Sequence, residues 1–204
     1  MKIQDLGLRD YQPTLVAMQQ FTLQRDNHTE DELWLLEHYP VYTQGFNGQQ
    51  NHLLRQNTIP LVQTDRGGQI TYHGPGQLIV YPLIDLRRHG MGVRNMISCL
   101  ENTVIAMLAE HKIDAYARKD APGVYCGEAK IASLGLRVKR GACYHGLSLN
   151  IDMDMQPFAD INPCGYAGMQ MTDMKALGVN TDMASVKQQF VSVFTSQMQQ
   201  GNKT

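Results

Sequence analysis

Arg66-Gly67-Gly68-Gln69-Ile70-Thr71-Tyr72-His73-Gly74-Pro75-Gly76-Gln77, running on into the apolar stretch Leu78 to Leu86, is the segment around which the rest of this 204-residue chain is organised. Glycine reaches positive φ without a Cβ penalty and proline fixes its own φ, so four glycines and a proline in so short a segment specify a backbone path that can approach a ligand closely. Gly74-Pro75-Gly76 sets proline and then glycine at the central positions of a type II turn, while Ile70 and Tyr72 before it and Leu78 and Val80 after it suit pleated strands. The prediction is strand, tight turn, strand. Arg66, Thr71, Tyr72, His73 and Gln77 then present hydrogen-bonding groups along a glycine-lined wall, the composition of a pocket floor. A polar hairpin without a ligand is the competing reading.

Upstream, Leu15, Met18 and Leu23 lie among polar residues behind Pro13, which predicts an amphipathic helix over residues 11 to 26. The segment from Asp31 through Trp34 and Tyr39-Pro40-Val41-Tyr42 to Gly45 reads as β structure bent at its proline, and Ile59 to Gln63 as a short strand that delivers the glycine-rich stretch. Downstream, Val93, Met96, Ile97, Leu100, Val104, Met107 and Leu108 recur at spacings of three and four, a helix with one buried face. Strands are predicted again over Lys130 to Lys139 and His145 to Asp152, separated by Gly141, and a last helix with Val186, Phe190 and Phe194 follows a Thr181 or Asp182 cap. The fold class this order implies is α+β (mixed α/β), one domain over residues 1 to 204 with helices packed on a mainly antiparallel or mixed sheet.

Composition narrows the function classes. A chain of this length buries roughly 70% of the surface its unfolded form exposes and needs no staples. Lys and Arg total 18 against 19 Asp and Glu, a net charge of −1, which argues against general nucleic-acid binding. No run of about 18 apolar residues occurs and the start lacks a signal-like apolar region, so a cytoplasmic protein without membrane association is expected. Cys99, Cys126, Cys143 and Cys164 show no CxxC spacing, which indicates neither a zinc site nor a disulfide framework.

Three further residues bear on chemistry. On a strand from 130 to 138, Lys130 shares a face with Ala132, Leu134, Leu136 and Val138, with Ser133, Gly135 and Arg137 opposite. An amine on a buried face loses the solvation that keeps it charged and becomes able to carry protons, whereas one at a strand end snorkels to water. His145 shares its face with Leu147, Leu149 and Ile151, and the default reading is a satisfied core histidine. In Asn162-Pro163-Cys164-Gly165-Tyr166-Ala167-Gly168, proline keeps Asn162 extended and Gly165 leaves space beside the sulfur, presenting one thiol at the mouth of a pocket. A buried inert thiol is the alternative, and catalysis would require a nearby base, for which Lys130 is the candidate.

Taken together and in this order, the glycine-rich stretch, Lys130-Ile131-Ala132-Ser133-Leu134-Gly135 with His145-Gly146-Leu147, and Asn162 to Gly168 resemble the octanoyltransferases of protein lipoylation, within the biotin/lipoate protein ligase superfamily. The resemblance runs from Trp34-Leu35-Leu36-Glu37-His38-Tyr39-Pro40 to about Gly168. It implies that an octanoyl group passes from octanoyl-acyl carrier protein to Cys164 as a thioester and then to a lysine of a lipoyl domain, in 2-oxoacid dehydrogenases or the glycine cleavage H protein. It implies no cofactor and no metal, and it makes Lys130 the acid/base partner of the thiol. Arg66, Gly67, Gly68, Gln69, Ile70, Thr71, Tyr72 and His73, with Ser133, Leu134, Gly135, Gly146, Leu147 and Ser148, correspond to the family's acyl pocket, with His145 as a supporting residue. The small residues at 133, 135 and 146 are expected to leave room for the alkyl chain, and backbone N–H groups at Gly74 to Gly76 or at Cys164 are candidate oxyanion donors. Arg87, Arg88, Arg137, Lys139 and Arg140 are candidates for steering an acidic carrier protein. The rival readings are an ATP-dependent lipoate or biotin ligase and a non-catalytic binding module.

Overall fold

In a computed structural model of the protein, which describes residues 1–201, ten strands form one sheet of seven and one of three, accompanied by three α-helices among the described residues. The chain starts with a strand the sequence reading did not assign, β1 (Lys2–Arg9), before α1 (Tyr11–Gln24). Then come β2 (Glu32–His38), β3 (Val41–Gln44), β4 (Leu61–Gln63), β5 (Ile70–His73), β6 (Gln77–Asp85) and α2 (Val93–Glu110). β7 (Tyr116–Ala117), β8 (Gly123–Cys126), β9 (Ala129–Lys139), β10 (Ala142–Asn150) and α3 (Met183–Gly201) complete the chain. The large sheet has the order β1-β2-β6-β10-β9-β8-β7, antiparallel except for the β1–β2 pair, and the small sheet is β4-β3-β5. Among the described residues no helix is long and apolar enough to cross a membrane.

Strand alternation explains the layers. On β2 and β6, Leu33, Leu35, Leu78, Val80 and Ile84 join α2 and α3 in one core cluster, and Trp34, Leu36, Ile79, Tyr81 and Leu83 join α1 in a second. The predicted stripe of α2 lies in the first cluster except at its start, where Val93 is exposed and Ile97 partly buried; Met96, Leu100, Val104, Met107 and Leu108 are fully buried, each worth about 1.5–3 kcal/mol. Asp182 is the cap of α3: its Oδ1 accepts the Ser185 N–H at 2.7 Å.

The turn at Gly74-Pro75-Gly76 forms as expected, with Gly76 at φ +83° and the Gln77 N–H donating to the Gly74 carbonyl at 3.3 Å. The strands on either side do not make a hairpin. β5 pairs with β3 in the small sheet and β6 with β2 and β10 in the large one, so the turn carries the chain between sheets. The bend at Tyr39-Pro40 does the same for β2 and β3, and the two crossings place the small sheet against the large one. β10 begins at Ala142, three residues before the predicted start, and its ladder with β6 is interrupted between the Cys143↔Ile84 and Leu147↔Val80 pairs. Pro82 lies opposite that gap and has no N–H to give to a ladder, while His145 takes φ +56°.

Candidate active site

Cys164 sits in a single 3-10 turn, Pro163–Gly165, that begins from an extended Asn162, the geometry proline imposes on its predecessor. Its own backbone is left-handed, φ 57° and ψ 14°, which costs a non-glycine residue about 1–2 kcal/mol. The neighbours hold it there: the Asn162 N–H donates to the His52 carbonyl at 2.8 Å, Gly165 N–H to Asn162 at 2.9 Å, and Tyr166 Oη to the Asp120 carbonyl at 2.9 Å. Of the four cysteines only Cys164 is partly open. The others are buried, and burial pushes the Cys99 thiol up to about 11 and Cys143 to about 12.

Lys130 is fully buried. Its Nζ lies 3.1 Å from Cys164 Sγ and donates to the Pro122 carbonyl at 2.9 Å, with the Tyr125 ring centroid 5.3 Å away. The chain returning from Cys164 is tied to Lys130 through its backbone, because Lys130 N–H donates to Gln170 and Thr172 N–H to the Lys130 carbonyl. The expected face alternation fails here. Ala132 and Leu136 join the core with α2 and α3 and Val138 is exposed, but the ladder with β8 shifts register between Val124 and Tyr125, and Lys130 packs on the Cys164 side. A Cβ on Gly123, whose φ is +149°, would lie 2.2 Å from Lys130 Cε, so glycine is what makes room for the amine's stem. Buried Glu101 on α2 fixes that glycine by accepting its N–H at 2.9 Å, and burial holds its carboxyl above the usual range.

Cys164 opens on a cavity of about 470 Å³, open mouth included, between the small sheet and the large one. Of the predicted pocket residues, Arg66, Gly68, Gln69, Ile70, Thr71 and His73 line it from one side, and Ser133, Leu134, Gly135, His145, Gly146, Leu147 and Ser148 from β9 and β10. Gly67 and Tyr72 do not line it. The Gly67 N–H is bound to the Leu136 carbonyl, and the Tyr72 ring packs against Tyr42 and Phe158 in a separate cluster. Nor does the Gly74 to Gly76 turn reach the cavity; the Gly76 N–H donates to Glu37 Oε2 at 2.7 Å and is no oxyanion donor. The glycines of β9 and β10 serve backbone approach rather than space for a ligand, since a Cβ would meet Gly67 O at 2.8 Å from Gly135 and Val80 O at 2.0 Å from Gly146.

Arg66 is a buried cation whose hydrogen bonds all go to neutral oxygens. The guanidinium donates to the carbonyls of Gly67, Thr43 and Gln69 at 2.8, 2.6 and 2.9 Å and to Thr43 Oγ1 at 2.9 Å, which stitches the glycine-rich wall to β3. His145 is not the satisfied core histidine of the default reading. Its Nε2 lies 2.9 Å from Asp65 Oδ1, the Tyr144 hydroxyl donates to Asp65 Oδ2, and its Nδ1 has no protein partner. The imidazole hydrogen bond, against the cost of burial, holds the Asp65 carboxyl well below its usual range; an ionised carboxylate only accepts, so Nε2 carries the hydrogen. Burial pushes the imidazolium form of His145 down, as it does His38, to about 4, and His73, to about 3. Sequence reasoning missed Tyr11, Ile79 and Tyr81 on the cavity wall and Asp65 behind it; Tyr11 and Tyr81 carry no local signal beyond helix and strand patterning. Of the candidate steering residues, Arg87 is engaged with Asp85 and Arg88 with Asp31, whereas Arg137 is exposed with its guanidinium over the Phe46 ring at 5.7 Å.

The family described as lipoyl protein ligase A/B catalytic domain matches residues 10–195. Proteins named octanoyltransferase are similar over most of their length: one from Shewanella frigidimarina is 52% identical over 97% of this chain and 92% of its own, and one from Azotobacter vinelandii 61% over 85% and 79%. Among solved structures, lipoate-protein ligase A bound with ATP superposes with a TM-score of 0.76 at 14% identity, covering 97% of this chain and 85% of that one. Biotin protein ligase from Aquifex aeolicus gives 0.60 at 11% identity, over 100% and 71%. These distant likenesses speak to the fold alone.

Proposed function

The chain belongs to the lipoyl protein ligase A/B catalytic-domain family and, within it, to the octanoyltransferases, and from that premise we propose that it accepts an octanoyl group from octanoyl-acyl carrier protein onto Cys164 and passes it to a lysine of a lipoyl domain. It is an acyltransferase of lipoate biosynthesis. The acceptors in this reading are the lipoyl domains of 2-oxoacid dehydrogenases and the glycine cleavage H protein. The whole chain works as one catalytic domain, in the cytoplasm, where thiols stay reduced.

The observation that carries the proposal is the 3.1 Å contact between Lys130 Nζ and Cys164 Sγ at the mouth of the cavity. Lys130 Nζ takes the thiol proton, the sulfur attacks the thioester carbonyl, and Nζ returns the proton to the departing pantetheine sulfur. In the second half the acceptor amine attacks the Cys164 thioester, its proton passes through Lys130 to the leaving sulfur, and an amide forms. Thioester to thioester is nearly isoenergetic and thioester to amide is downhill, so no ATP is needed. Residues 66, 68 to 71, 73, 133 to 135 and 146 to 148 hold the alkyl chain, each buried methylene contributing about 0.8 kcal/mol. Incubation with octanoyl-acyl carrier protein and no ATP is expected to add one octanoyl group to Cys164, and a lipoyl domain to remove it as an amide. An unmodified mass, or labelling only with ATP, rejects the transferase mechanism.

A further inference from the structure

Glu101 sets a carboxylate into the buried face of α2, between Leu100 and Val104. Its Oε1 accepts the Gly123 N–H at 2.9 Å, and Lys130 fills the space on the same glycine, with Cε and Nζ 2.2 and 2.9 Å from where a Cβ would stand. Carboxylate and amine thus pack against one residue, and the path through Gly123 puts them no more than about 8 Å apart. Lys130 Nζ donates to the Pro122 carbonyl and to Cys164 Sγ and forms no ion pair among the described residues. Burial raises the Glu101 carboxyl, and the Gly123 N–H and the Lys130 charge draw it back down. The other titratable groups around the pair are already accounted for. Tyr125 on β8 donates its hydroxyl to the Ala121 carbonyl, and burial keeps the thiols of Cys99 on α2 and Cys126 on β8 protonated. Arg118, over the Tyr125 ring, is engaged with Asp120, Lys187 on α3 with Asp5, and Arg66 on the cavity wall with neutral oxygens. None of these sets an unpaired negative charge beside the amine.

We propose that Glu101 is a positioning residue of the reaction: its hydrogen bond to Gly123 keeps clear the place that the Lys130 stem occupies, and its charge balances the ammonium formed when Lys130 takes the Cys164 proton. The inference rests on the reading that this proton transfer starts acylation at Cys164. In that step the proton leaves Sγ for Nζ, the sulfur–carbon bond forms and the carbonyl electron pair moves to oxygen, so the sulfur is neutral again while the amine is still charged. A fixed carboxylate within this reach favours that charge in a buried site, where water screens it little. Glu101 itself neither gives nor takes a proton.

The test has two parts. Glu101→Gln keeps an acceptor for the Gly123 N–H and deletes the charge, so transfer from octanoyl-pantetheine to Cys164, followed by intact mass, is expected to slow about tenfold in a folded variant. The second part needs no acyl donor. The Glu101 carboxyl is titrated by carbon NMR in Cys164→Ala and in the Cys164→Ala, Lys130→Met double variant. Coupling between two sites is reciprocal, so removing the amine should raise the midpoint of the carboxyl by about one pH unit, which a hydrogen bond to Gly123 alone would not do. Should Glu101→Gln not fold, this comparison decides. A Glu101 midpoint indifferent to Lys130, or a wild-type acylation rate in Glu101→Gln, overturns the charge role and leaves the transferase mechanism intact. No octanoyl adduct on the wild-type protein rejects that mechanism, whatever the two midpoints are.

Discussion

Lys130 Nζ and Cys164 Sγ, 34 residues apart in sequence, stand 3.1 Å from each other, with the amine fully buried and the thiol facing the cavity. Removing the sulfur with Cys164→Ala should abolish the octanoyl adduct. Lys130→Met, which keeps the stem and loses the proton carrier, should slow adduct formation about 10²–10⁴-fold, and Lys130→Arg should not restore it because a guanidinium does not give up its proton. Stopped-flow quench followed by intact mass measures both, and normal turnover in either variant removes that residue from its role.

Gly123→Ala tests the positioning of the amine without touching it. The new Cβ would lie 2.2 Å from Lys130 Cε and 2.6 Å from the Ala132 carbonyl, at a φ of +149°. Expected are a loss of about 1–3 kcal/mol in stability and a fall of at least about tenfold in acylation rate. A wild-type rate in a folded variant would mean that Lys130 needs no fixed place.

Acid should weaken the fold before the carboxylates titrate. His38 and His73 are held neutral by burial, down to about 4 and about 3, whereas in the unfolded chain each protonates near 6.5. The unfolded state therefore binds more protons below 6.5, so the contribution is full above that pH and is lost as pH falls toward the folded values. Between pH 7 and pH 5 each histidine should remove about 2 kcal/mol, read as a lower urea midpoint. An unchanged midpoint would show that both carry charge in the fold.

Arg66→Met deletes the donors that tie the carbonyls of Thr43, Gly67 and Gln69 together. A destabilisation of about 2–4 kcal/mol and a slower acylation are expected, with Arg66→Lys recovering only part, since an ammonium does not span the planar fork. Denaturant melts of the three proteins measure it, and equal midpoints would count against a structural role for the guanidinium.

If exposed basic residues such as Arg137 steer an acidic carrier protein, the rate with the carrier-bound donor should fall from low to high salt while that with octanoyl-pantetheine stays level. Arg137→Ala should flatten the salt dependence more than Arg87→Ala, because Arg87 already faces Asp85. Parallel salt profiles for the two donors would reject steering.

Much of the architecture was legible because it is local. Spacings of three and four produced α2 and α3, Pro40 and the Gly74-Pro75-Gly76 turn marked real changes of direction, and Asn162-Pro163-Cys164-Gly165 does present the thiol. β1 was missed because Lys2–Arg9 is a largely exposed edge strand with little alternation to read.

What the chain's order of residues determined by itself is whatever depends on local backbone chemistry and side-chain period: the turn chemistry, most of the buried stripes, the presentation of the Cys164 thiol and the motifs that mark the family. Folding alone decided which distant groups meet. The register shift between β8 and β9, which leaves Ile131 as the extra residue, turned Lys130 toward the sulfur, Pro82 and the left-handed His145 opened the β6–β10 ladder, and Asp65, 80 residues from His145, became its partner. Such contacts follow from how two sheets are stacked and registered, and periodicity along one strand holds no information about the strand or loop that will lie across from it.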